Sequence, residues 1–453
     1  MSCRLLHYSD LENAYDDPAR VGRLAGLICE RRAAGDALLV GSGDDTAPGV
    51  LSLHFEGRQA LDLYRAVEPD VETFGNHDFD YGLAATRDVV RESPQTWVSA
   101  NVLHDGGRFG AAEGVVPWTV ERCGDARVGF FGVLDDDTPS LNPAAGDLAV
   151  TDPVEAGQRA VAALRARGVD YVVALSHLGR GDDELAAKLD VDAVLGGHVP
   201  VERVERRHGT LLTRPGSGGE TLLEVDLDAG TVTRHPVTDG PLDETVATAL
   251  RERGAAAGLD EVVGEAAAPL ERTEATLFGG ESRIGNFVAD AYRWATGADV
   301  ALQNSGGVRD GPALAGEVTV ADLVSVLPFE ESVAVVELPG RALLDVFRAA
   351  AGQDLGFAEP EWWHAHVSGA RLVWDDRRDE LVSASVDGAA VDPDRAYTLA
   401  TSEYLLYTDH EFPALDGSRR VDTAGVQHEV LADYAREVGI DPVVEGRVVR
   451  RDG

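Results

Sequence analysis

Short apolar runs alternate with longer amphipathic stretches along the first half of the chain. Runs over 37–40, 128–133, 171–175 and 193–195 are nearly continuous in Val, Leu, Phe, Ala and Gly, as strands buried on both faces are. Shorter runs at 4–9 and 71–74 read as further strands. Between them, 18–33, 59–67, 153–167 and 184–189 carry apolar residues at helical spacing, clearest in Val21, Leu24, Ala25, Leu27 and Ile28. Segments 211–213 and 221–227 predict closing antiparallel strands. Residues 238–265 change character, because 242–256 is a charged helical pattern without strand signals and reads as a linker helix. The alternation then resumes, with helices over 285–295, 320–326 and 341–350 and strands over 300–302, 333–338 and 397–401. The pattern predicts an α/β chain of two domains, 1–237 and 266–453, joined by 238–265.

Composition narrows the classes. Lys plus Arg number 40 against 79 Asp plus Glu, a net charge of −39 that repels nucleic acid and anionic membranes. Neither is expected as a partner. Lys188 is the only lysine, and a hydrophobic fraction of 44% excludes a disordered acidic chain. A folded, acidic, lysine-poor protein reads as one adapted to high salt. Cys3, Cys29 and Cys123 have no paired spacing, which argues against a disulfide framework or a cysteine zinc site. The first residues lack an apolar signal region, and no run approaches a membrane span, so a cytoplasmic location is expected.

The chemistry gathers where strands end. Five strand-like runs lead into Asp10/Glu12, Asp44, Asn76/His77, His177 and His198. Side chains at adjacent strand ends converge on one crevice in α/β folds. Oxygen and imidazole donors together suit hard and borderline divalent cations.

The order Leu6-His7-Tyr8-Ser9-Asp10, Gly43-Asp44, Gly75-Asn76-His77-Asp78, Ser176-His177, Gly197-His198 resembles the calcineurin-like metallophosphoesterases. With the second half, residues 4–415 resemble the bifunctional metallophosphatase/5′-nucleotidase family, here as an acidic member of haloarchaeal type. The resemblance implies a four-layer α/β/β/α N-terminal sandwich and a C-terminal α/β substrate-binding domain. It implies two divalent ions, Mn²⁺, Mg²⁺ or Zn²⁺, bridged by Asp44. Asn76, His177 and His198 complete one site and Asp10 serves the other. His77 acts on the leaving group, oriented by Asp80. Two departures fall on the Asp10 site: Glu12 stands where the family has His, and Pro200 where it has a last ligand. Glu12 is expected to make that site oxygen-rich and selective for Mn²⁺ or Mg²⁺.

In the second half, Glu281-Ser282-Arg283-Ile284-Gly285-Asn286 and Asn304-Ser305-Gly306-Gly307-Val308-Arg309 resemble the family's substrate loops. Arg309, then Arg283, are implied phosphate contacts, with Asn304 in the same loop. Phe329 and Tyr404 are the implied base sandwich. Glu331 replaces a family Asn, and Asp409-His410 stand where an Asp grips ribose. The cluster Trp362, Trp363, His364 and His366 has no implied role and reads as a packed flap. The implied activity is hydrolysis of a 5′-nucleotide to nucleoside and phosphate by a metal-activated water. The alternatives are a cyclic-nucleotide phosphodiesterase or nucleotide-sugar pyrophosphatase and, in another class, a non-catalytic nucleotide-binding protein. Two domains also imply a hinge.

Overall fold

A computed structural model describes residues 3–351, 362–408 and 411–451. They fall in two compact units, Met1–Ala257 and Gly258–Gly453. In the first, two six-stranded sheets face one another. One runs Thr231–Pro236, Thr221–Asp226, Arg4–Tyr8, Ala37–Gly41, Val71–Glu72, Thr96–Trp97. The other runs Arg203–Arg207, Thr210–Arg214, Ala193–Gly196, Tyr171–His177, Ala126–Leu134, Thr119–Cys123. Both are parallel through their centres; the first turns antiparallel at one edge and the second at both.

The continuous apolar runs are the central strands, and both of their faces are covered. Leu5, Val40 and Val71 from one sheet meet Phe130, Leu175 and Leu195 from the other in a single core. The helix Pro153–Ala166, capped by the Asp152 carboxylate on the Glu155 amide, covers the outer face of the second sheet with Ala160, Val161 and Leu164. The helix Pro18–Ala33, capped by Asp17, packs against the first sheet through its Val21–Ile28 stripe. This is the four-layer sandwich.

The helix read as a linker is placed differently. Glu244–Ala256 lies within the first unit and packs along Pro18–Ala33, so the division falls at 257/258. The approach is close: a Cβ on Gly22 would lie 2.8 Å from the carbonyl oxygen of Asp243, which caps the helix, and one on Gly26 would lie 1.9 Å from the Pro241 carbonyl oxygen in the segment leading into it. Among the described residues no helix is long and apolar enough to cross a membrane.

The second unit is built on a five-stranded mixed sheet in the order Ala365–Ser368, Val300–Asn304, Ala396–Ser402, Ser332–Pro339, Arg420–Val426. Helix Arg283–Thr296 buries Ile284, Phe287 and Val288 on one face of it, and Gly340–Arg348 buries Leu343, Val346 and Phe347 on the other. The strand Val300–Asn304 runs two residues beyond its apolar core, so the loop carrying Arg309 begins at a strand end.

Candidate active site

In the first unit, Asp10, Asp44 and Asn76 follow strands of one sheet, and His177 and His198 lie at the ends of strands of the other. The crevice therefore lies at the C-terminal ends of both sheets, where parallel strands deliver their loops. The backbone there is held in an unusual state. Asp10, Glu12, Asp44 and His198 have φ of 51°, 47°, 56° and 72°, in the left-handed region that non-glycine residues avoid. Strain of this kind costs on the order of 1–3 kcal/mol per residue and concentrates at functional sites. Glycines let the strands close in, since a Cβ on Gly75 would lie 2.1 Å from Asp44 Oδ1, and one on Gly197 would lie 2.3 Å from Ser9 Oγ.

Two donor groups result. Asp44, His177 and His198 offer one ligand atom each within 4.8 Å of one another, and so do Asp10, Glu12 and Asp44. Asp44 belongs to both. His177 Nε2 lies 2.9 Å from Asp44 Oδ2, while its Nδ1 lies 2.9 Å from the Ser42 carbonyl, which turns Nε2 inward. Asn76 Oδ1 lies 2.8 Å from His198 Nδ1, so Asn76 joins the histidine group. Asp10 accepts the His198 amide at 2.9 Å and the Ser9 hydroxyl at 2.5 Å. Glu12 turns in toward Asp10 and Asp44 rather than toward solvent.

The electrostatics fit divalent cations. Burial pushes Asp10 up to about 6, and the Asp44 charge adds to it. Burial, with Asp44 and Asp10, pushes Glu12 up to about 7. Burial would raise Asp44 too, but the charge and hydrogen bond of His177 hold it below the usual carboxylate range. Three carboxylates gathered out of water are costly without a positive charge among them. Asp10, Glu12 and Asp44 present only oxygen, whereas the other group mixes oxygen with imidazole, a division suited to a hard and a borderline ion.

His77 is set apart. Its side chain is 41% exposed and its Nδ1 lies 2.9 Å from Asp80 Oδ2. Asp80 is fixed in turn by Asn142, whose Nδ2 donates to Asp80 Oδ1 and to the Asn76 carbonyl, both at 2.8 Å. Burial would lower the imidazole, but the Asp80 hydrogen bond and the charges of Asp44, Asp80 and Glu12 raise it to about 9. Asp80 thus holds His77 Nδ1 and favours the charged imidazole.

Several organising residues were given no role by the sequence. Asp78 accepts the amides of Asp44 at 2.9 Å and Gly75 at 2.7 Å, and the Thr46 hydroxyl at 2.6 Å, so one buried carboxylate joins two ligand loops. Asp182 and Arg214 form a buried ion pair at 2.9 Å beneath the histidine loops. Asp182 also accepts from Ser176, next to His177, and rests against Gly196, while Arg214 donates to the Gly179 carbonyl. Asp182→Ala leaves the arginine buried and unpaired, and should cost about 3–5 kcal/mol of stability by denaturant unfolding.

In the second unit, Arg309 is exposed and its guanidinium lies 4.9 Å from the Phe329 ring centroid. Tyr404 is 44% exposed. Asn304 is buried, accepting from Gln303 Nε2 at 2.7 Å and donating to Glu411 Oε2 at 2.8 Å. Arg283 does not sit as a phosphate contact. Its guanidinium donates to the carbonyls of Pro442, Ala268 and Pro269 at 2.8, 2.9 and 3.0 Å and pairs with Asp441, bracing the helix it opens. The Trp-His cluster is core rather than flap: Trp363 is buried, Trp362 stacks on Phe278 at 4.0 Å, and His364 lies 2.6 Å from Glu411 Oε2. Asp409 and His410 lie outside the described residues.

Residues 262–417 match the family model of the 5′-nucleotidase C-terminal domain. The chain is 24% identical over 515 residues to a trifunctional nucleotide phosphoesterase of Bacillus subtilis, covering 98% of this chain but 34% of that protein. It thus spans about a third of that relative. It is 23% identical to the 5′-nucleotidase of Homo sapiens, covering 98% of this chain and 90% of that one. A crystal structure of a 5′-nucleotidase precursor from Thermus thermophilus superposes with a TM-score of 0.76 at 25% identity, over 100% of both chains. Residues 262–417 thus match a 5′-nucleotidase C-terminal domain, and the chain as a whole is similar in sequence and fold to 5′-nucleotidases.

Proposed function

We propose that the protein is a metal-dependent phosphohydrolase that cleaves 5′-nucleotides to nucleoside and inorganic phosphate. One observation carries the reading: two groups of cation donors share Asp44, and His77, held by Asp80 and hydrogen-bonded through its amide to Asp44, stands beside them. Divalent ions held there would supply positive charge to the phosphate and acidify a water molecule. Asn76, His177 and His198 would hold one ion with Asp44, and Asp10 and Glu12 the other. The all-oxygen group favours Mn²⁺ or Mg²⁺ over Zn²⁺.

The remaining work falls to residues of the chain. As the bond between phosphorus and the 5′ oxygen breaks, His77 Nε2 gives its proton to the departing oxygen. Asp80 keeps the imidazole charged and aimed, and Asn142 keeps Asp80 in place. Arg309 offers a planar pair of donors to phosphate oxygens. Phe329 and Tyr404 offer faces to the base, each worth ~1–3 kcal/mol of stacking. The same reading takes the net charge of −39 as adaptation to high salt and the cytoplasm as the place of action.

Phosphate release from AMP, GMP, UMP, a cyclic nucleotide and a nucleotide sugar, assayed in molar KCl, tests it. The 5′-monophosphates should be hydrolysed, chelation should abolish release, and Mn²⁺ should restore it. Release from the cyclic nucleotide or nucleotide sugar alone would select the other esterase readings. Release from none would leave a binding protein.

A further inference from the structure

Two residues beyond Phe329, Glu331 stands half-buried with one end of its carboxylate tied inward. Gln427 Nε2 donates to Glu331 Oε2 at 3.1 Å, and the Gln427 amide donates to the Glu331 carbonyl, also at 3.1 Å. Gln427 is buried, and its own Oε1 meets the Tyr292 hydroxyl. Tyr292 also lies 2.9 Å from Gln303 Oε1; Gln303 reaches Asn304, and Asn304 reaches Glu411. Glu411 ends the line on His364. Seven side chains thus form one relay, and Tyr292, Gln303, Asn304 and Gln427 are each 4% exposed or less. Buried polar chains are costly unless they fix something. This one fixes Glu331 at the open edge that holds Arg309 and Phe329, where the Glu331 and Arg309 charges act on one another.

The relay engages one of the two carboxylate oxygens of Glu331. The Tyr292 hydroxyl has one proton and meets two amide oxygens, so the two glutamine amides compete for it. Whichever takes it, the oxygen of Glu331 that faces away from Gln427 is an acceptor. A base stacked on Phe329, two residues away, would meet an acceptor at its edge. Guanine presents two adjacent donors there, N1–H and the 2-amino group. Adenine presents one donor beside the lone pair of N1, which a carboxylate repels. Cytosine repeats the adenine arrangement, and uracil sets its single N–H between two carbonyls.

We propose that Glu331 makes the second unit selective for guanine nucleotides, with Gln427 and Tyr292 as positioning residues that hold it in place. The inference takes its ligand class from the nucleotidase reading, and it is tested without turnover so that the two can fail separately. Titration calorimetry of GMP, IMP and AMP into the chelator-treated, full-length protein should rank GMP above AMP by about tenfold to a hundredfold, the usual worth of a paired contact to the right base. IMP, which keeps N1–H but lacks the 2-amino group, should fall between them. Glu331→Gln, which keeps the shape and can donate as well as accept, should bring GMP and AMP to within about threefold, and Tyr292→Phe should narrow the gap in the same direction. Equal binding of GMP and AMP by the unaltered protein, preference for AMP, or binding of neither would overturn the proposal. So would a GMP preference that survives Glu331→Gln. Selective binding without phosphate release would count against the hydrolase reading alone.

Discussion

Asp44→Asn should lower kcat/KM by at least ~10³-fold, equal to about 4 kcal/mol of transition-state stabilisation. Asp44 is the one side chain common to both donor groups, so its loss acts on both at once. The substitution preserves shape and burial. It removes a negative charge and sets an amide group into a position that Asp44 Oδ1 and Oδ2 now occupy as acceptors, one from the His77 amide at 2.7 Å and one facing His177 at 2.9 Å. Without that charge His177 has less to hold it, because the Asp44 charge is the main influence raising it against burial. Steady-state kinetics together with metal content by mass spectrometry would read the effect. A variant that keeps both ions and loses less than about tenfold in kcat/KM would show that Asp44 is not shared.

His77→Ala should lower kcat by about 10²–10⁴-fold, the usual contribution of a positioned proton donor, with metal content unchanged. The distinction from Asp44→Asn is the test, because His77 lies outside both donor groups. Asp80→Asn should lower kcat less and move the alkaline limb of the pH profile to lower pH. The sign follows from the raised imidazole. A histidine held at about 9 is protonated through neutral pH, and the donor form is lost as pH rises through that value. Removing the Asp80 charge and hydrogen bond lowers that midpoint, and bound cations lower it further in the unaltered enzyme, so its limb should fall below 9. An alkaline limb that does not move in Asp80→Asn would separate the dyad from the chemistry.

The candidate metal centre was legible because parallel strands buried on both faces read as continuous apolar runs, and the residue that follows each run is then fixed at the crevice. Asp10/Glu12, Asp44, Asn76/His77, His177 and His198 could be gathered that way without knowing which strands were neighbours, and the family resemblance alone divided them into ligands and His77. The residues that hold them in place could not. Asn142 reaches Asp80 from 62 positions away, and Arg214 reaches Asp182 from 32, with no local pattern to announce either. Arg283 shows the converse: its setting resembles a substrate loop, but its partners are backbone carbonyls as far as 159 positions along the chain, which no motif encodes. The helix Glu244–Ala256 had a readable pattern but no readable partner, because it packs on Pro18–Ala33 at Gly22, a residue that looks unremarkable in isolation. Glu331 was visible as a departure, yet its orientation depends on Gln427 and Tyr292, supplied by two distant helices.

Anomalous diffraction at the manganese edge, from crystals soaked in Mn²⁺, tests the shared-cation centre most directly. The account predicts two peaks with Asp44 between them, one beside Asn76, His177 and His198 and one beside Asp10 and Glu12. A single peak at the histidines would remove the second ion, and no peak within bonding distance of Asp44 would contradict the centre as a whole.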